Sequence, residues 1–129
     1  MTRRRTCTIG DARARRASAV AFLDVAERLL LENFDHDVVV TNAVHAGIAA
    51  SDSICCLRLG ERSVEQDHGS ATNLLARVDK SLANELGRLL ALKTTAAYET
   101  RRMTQSDAKS SARRARKLVE AAGIALAST

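Results

Sequence analysis

Three histidines (His36, His45, His68) and three cysteines (Cys7, Cys55, Cys56) are the side chains of this chain best suited to metal binding or nucleophilic work. Their spacing supports little of either. Cys55 and Cys56 are neighbours, so on a helix their side chains diverge by about 100° and cannot share one ion or join in an ordinary disulfide with each other. Cys55 falls on an apolar spacing and reads as core, Cys56 as interfacial. No C-x-x-C or H-x-x-x-H pattern occurs, and neither a metal site nor a cofactor is expected. Three cysteines exclude a disulfide framework and make a reducing cytoplasm the default setting. Serines are plentiful without a G-x-S-x-G elbow, and the six scattered glycines form no phosphate loop or dinucleotide fingerprint. His45, beside Ala46-Gly47, reads as a hydrogen-bonded helix residue.

The cations are more telling. The chain has 129 residues and a net charge of +5, and its first sixteen residues hold six arginines against Asp11 alone. All the excess charge therefore sits at the N-terminus, and the remainder is neutral. Such an arm, with Arg3, Arg4 and Arg5 at its tip, is expected to be flexible and to attract polyanions without sequence preference. A second basic patch runs from Arg101 to Lys117, with Asp107 as its one anion. Lys109, Arg113, Arg116 and Lys117 recur at i, i+4, i+7 and i+8, on one helical face. Ala108, Ala112, Ala115, Val119 and Ala122 line the other. A one-signed face suits phosphate, whereas most charged faces are simply solvated. Aromatics make up only 2% of residues, so base stacking is poorly served and any RNA contact rests on phosphates.

These residues must be positioned by helices. Proline is absent, alanine and leucine carry the hydrophobicity, and the length suits one domain. No apolar run approaches the ~20 residues that span a bilayer, and no hydrophobic stretch follows the first arginines as in a secretory signal. Ser18 can cap a helix to about Asn33 with Phe22, Val25, Ala26, Leu29 and Leu30 inward. A second, from Asp37 to Leu59, ends at Gly60 and is slim, with Gly47 among alanines and serines. The polar stretch Glu61–Gly69 is the longest break. A short helix from Ser70 to Val78, a longer one from Ser81 to Tyr98 and a last one capped by Ser106 complete the chain. The expected division is a basic arm over 1–16 and a helical domain over 17–129. The expected fold is all-α, an antiparallel bundle of four long helices and one short helix.

Three stretches resemble the HEPN domain family. Ala43–Cys56 (AVHAGIAASDSICC) is similar to its small-residue helix with a dimerising apolar face. Asp67-His68 followed by Ala71-Thr72-Asn73-Leu74-Leu75 resembles its step from a histidine into a Leu-Leu helix. Leu89–Ala122 resembles its leucine-rich helix ending in Ala-x-Tyr, then a polar loop and a Ser-x-x-x-Ala helix with a basic outer face. The likeness spans roughly residues 17–127.

The resemblance implies a helical bundle that forms a homodimer. Many members carry Arg-x(4–6)-His at the dimer interface and cleave RNA without a metal, and Arg62 to His68 fits that spacing. In that chemistry His68 would move a proton near neutral pH. Arg62 would clamp the phosphate as negative charge develops, and Gln66 or Asp67 would orient the imidazole. Two departures stand out: Ser63 follows the arginine where the family often has Asn, Asp or His, and the pair precedes a short helix rather than the last long one. The expectation is an RNA-acting protein, a candidate metal-independent endoribonuclease of toxin or defence type with a composite site between two copies. The alternatives are a non-catalytic HEPN module bound to a nucleotidyltransferase or antitoxin, and a nucleic-acid-binding accessory protein that uses the arm.

Overall fold

A computed structural model describes residues 3–64, 68–98 and 102–129. The order is β1 (Arg4–Thr6), α1 (Ile9–Leu31), α2 (His36–Leu59), β2 (Glu61–Ser63), α3 (His68–Ala76), α4 (Lys80–Tyr98) and α5 (Gln105–Ala127). Among the described residues the chain is predominantly helical, with four long helices and one short one, as the periodicity requires. The small antiparallel ribbon β1–β2 was not expected; it pairs Arg4 with Ser63, Arg5 with Arg62 and Thr6 with Glu61.

The ribbon and α1 correct the picture of a flexible arm over residues 1–16. Thr8 caps α1, accepting from the Asp11 amide, while the Asp11 carboxylate accepts from the Thr8 amide. This reciprocal capping box satisfies two amides that a helix start leaves open. The helix thus begins nine residues before Ser18, and its arginine-rich first half is amphipathic on a small scale. Ala12, Ala19, Leu23 and Ala26 are buried, and Arg13 is exposed. The boundary drawn at residue 16 falls inside α1.

α2 lies at the centre and packs against α1, α3, α4 and α5. Fourteen of its 24 residues are buried, most of them small, which lets neighbouring backbones come close on several sides. α1 runs antiparallel along it, since Ala12 meets Ser53, Arg15 meets Asp52 and Phe22 meets His45. Leu86 and Leu89 of α4 and Leu118 of α5 press on Gly47 and are fully buried. α2 is long and apolar enough to cross a membrane by length and composition, but most of it is covered by the other helices. Its cap is Asp35 rather than Asp37, and Gly60 ends it in the left-handed conformation (φ 70°). Asp37 is used elsewhere, accepting from the Met103 amide at 2.9 Å just ahead of α5. α5 starts at a second capping box, Thr104 with Asp107, two residues before the expected Ser106.

The cysteines excluded a disulfide framework by number, yet two of them pair. Cys7 and Cys56 form a disulfide, 49 residues apart in sequence, and only Cys55 is free. Cys56 therefore faces α1's leading segment rather than an interface, because consecutive helix positions point in different directions. Cys55 lies in the core, where burial pushes its thiol up to about 12.

Candidate anion-binding cleft

The ribbon, Cys7 and the first turns of α1 line a polar cleft of about 420 Å³. Arg5, Thr6, Cys7, Asp11, Arg15 and Arg62 form its rim and walls. Each cation arrives from a different element. The register of the ribbon sets Arg5 opposite Arg62. Asp11 and Arg15 are four apart on α1 and share a face.

Asp52 anchors the cleft. It is 6% exposed on α2, and the small residues around it let α1 approach closely enough for the Ser53 hydroxyl to donate to the Ala12 carbonyl at 2.7 Å. The Asp52 carboxylate lies 3.0 Å from Arg15 and 3.6 Å from Arg62, and the Arg15 Nε donates to it at 3.2 Å. Burial pushes the Asp52 pKa up, and the two guanidiniums oppose that shift. Asp11 is shifted the other way: hydrogen bonds from the Thr8 amide and hydroxyl hold its carboxyl below the usual range, aided by Arg5 and Arg62. Three guanidiniums thus face two carboxylates, leaving a net positive, partly open pocket. Arg15 and Arg62 are partly buried and held by Asp52 while Arg5 is exposed, and guanidiniums so gathered suit bidentate binding of phosphate or carboxylate.

The sequence-predicted residues are distributed as follows. Arg62 lies on β2 and points into the cleft with Arg5. Arg4 pairs with Glu61 at 3.1 Å on the ribbon's outer side, and Arg3 accepts a backbone bond from Val64. His68 opens α3; its side chain, together with Gln66 and Asp67, lies outside the described residues. The α5 face is not one-signed in the fold. Arg116 binds Glu27 of α1 at 2.5 Å and Glu120 at 3.0 Å, and Lys117 lies 3.6 Å from Glu85 of α4. Lys109 and Arg113 are exposed. Helical spacing could show Glu120, four residues on in α5, but not Glu27 and Glu85, which belong to other helices.

Arg15 and Asp52 were absent from the sequence-based site. The available signal was Thr8-x-x-Asp11, which starts α1 early and puts Arg15 on a folded helix. His45 packs its ring 5.1 Å from Phe22, and burial, reinforced by Lys93, lowers its pKa. Among the described residues no cluster of three or more His, Cys, Asp or Glu is placed to hold a metal ion. Compared with known proteins, the chain matches no protein-family model, and no curated protein matches its sequence.

Proposed function

We propose that this protein is a HEPN-like RNA-acting protein that seats a backbone phosphate in the arginine cleft and cleaves RNA without a metal from a site shared by two copies. The observation that carries this reading is the position of Arg62. The arginine singled out by the Arg-x5-His spacing lines a cleft with Arg5 and Arg15. Arg62 would then clamp the phosphate while His68 moves the proton between the 2′-hydroxyl and the leaving oxygen. Arg5 and Arg15 would add charge without touching bases, in keeping with the scarcity of aromatic residues. The test is cleavage of single-stranded RNA in the presence of EDTA. Wild type cleaves, whereas Arg62→Ala and His68→Ala each abolish cleavage; undiminished cleavage by both variants defeats the proposal.

One contact favours a second reading. Arg62 already faces the buried Asp52 carboxylate at 3.6 Å, the arrangement of a structural ion pair. On that reading the chain is a non-catalytic HEPN module that pairs with a partner protein, such as a nucleotidyltransferase or an antitoxin. It predicts co-purification with that partner and no ribonuclease activity in the wild type.

A further inference from the structure

We propose that the Cys7–Cys56 disulfide is a redox latch whose reduction releases β1 and removes one wall of the arginine cleft. Among the described elements β1 packs on β2, and all three of its residues are exposed. No apolar burial therefore holds the strand. Its other ties are polar and include three rungs of ladder, the exposed Arg4–Glu61 ion pair at 3.1 Å, the Cys7 amide to the Gly60 carbonyl at 2.9 Å, and the Val64 amide to the Arg3 carbonyl at 3.2 Å. A two-stranded ribbon with no apolar face is marginal in water. The disulfide is the one covalent tie, and it joins the end of β1 to the last turns of α2, a helix buried along most of its length.

The released segment is short. α1 starts at Ile9 on its own capping box, and Ala12 is held by Ser53, so only residues 3–7 come free. Those residues include Arg5, Thr6 and Cys7, which form one side of the cleft. Arg15 and Arg62 stay behind with Asp52.

The cleft also gives a reductant access. Cys7 is half-buried and lines the opening, whereas Cys56 is 4% exposed. A dithiol thiolate attacks the Cys7 sulfur, the S–S bond breaks, and Cys56 leaves as a thiolate beside a cationic cleft. The reductant's second thiol then attacks its own sulfur in the mixed disulfide and expels Cys7. Two electrons pass from dithiol to protein, both cysteines are protonated, and the reductant departs as a cyclic disulfide. Cys55 does not intercept the exchange, because it is buried in the core and remains a thiol.

The effect on RNA rests on the proposed function; the release of β1 does not. The experiment compares the protein before and after treatment with dithiothreitol. Alkylation under denaturing conditions counts one thiol before reduction and three after; three before reduction overturns the proposal. Hydrogen exchange in peptides covering 3–8 and 60–64 should accelerate at least tenfold on reduction, with helix-core peptides unchanged. Cys7→Ser, at the more exposed of the two sulfurs, should reproduce this without reductant. Unchanged exchange in the ribbon, or loss of protection throughout the helices, overturns the latch. Affinity for a labelled single-stranded RNA should fall at least threefold on reduction, and Arg5→Ala should abolish that sensitivity. If the oxidised protein binds no RNA, the function proposed above fails while the exchange data still decide the latch.

Discussion

Replacing Asp52 by asparagine should raise RNA affinity without lowering stability at neutral pH. The side chain of Asp52 is 7% exposed, against 33% for Arg15 and 27% for Arg62. Breaking a fully buried ion pair costs about 3–5 kcal/mol, and an exposed pair contributes about 0–1 kcal/mol. With two-thirds of each guanidinium shielded, the loss falls between them, at about 2 kcal/mol. The raised pKa of Asp52 shows that burial penalises its charge by more than the two arginines repay, so a neutral isostere recovers that loss. Tm should therefore hold or rise slightly at neutral pH. At the same time two guanidiniums lose their internal counter-ion. One additional effective charge about 7 Å from a bound phosphate strengthens binding by roughly three- to tenfold at intermediate dielectric. It should also steepen the salt dependence by about 0.7 for a single strand. Thermal unfolding by circular dichroism and RNA anisotropy between about 50 and 200 mM salt read the two effects. Unchanged or weaker RNA binding by a variant that keeps its Tm would refute the claim that this cleft is the anion site. The pH profile adds a signature. Because the folded pKa lies above the ordinary value of about 3.9, the folded state protonates before the unfolded chain as pH falls. The charge penalty at neutral pH is relieved as pH drops through the folded pKa, and the asparagine variant should lack that segment.

Gly47→Ala should destabilise the protein, although alanine is the better helix former by about 1 kcal/mol. The new Cβ would lie 2.4 Å from Leu89 Cδ2 and 3.4 Å from Leu118 Cδ1, in a core where both leucines are fully buried. Overpacking of this kind costs about 1–3 kcal/mol, and urea denaturation giving a variant as stable as wild type would show that α2 and α4 can separate freely. His45 should make stability depend on pH. Its folded pKa lies below the ordinary value of about 6.5, so its contribution is complete above that value and is lost as pH falls through the folded pKa. His45→Gln should flatten the Tm difference between pH 7.5 and pH 5.5, and an unaltered slope would place the cause elsewhere.

The sequence alone determined the elements whose causes are local. Helical spacing of apolar residues located α2, α4 and α5 to within a few residues, because burial on one face of a helix repeats every three or four positions. The slimness of α2 was legible in Gly47 and its alanines, and the structure uses it to bring Leu89, Leu118 and the α1 backbone close. Arg62 could be nominated from its spacing to His68. Its neighbours could not, since Arg5 reaches it through a ribbon pairing segments more than fifty residues apart, and Asp52 through the contact of α1 with α2. Arginine density at the N-terminus suggested a solvated arm, and the Thr8–Asp11 capping box outweighed it by satisfying the helix start. Only the tertiary structure decided the Cys7–Cys56 pairing, the placing of Glu27 and Glu85 against Arg116 and Lys117, and the counter-ion of the cleft. Each of these depends on which faces of distant segments meet, and a pattern read along one helix carries no information about the side chains opposite it.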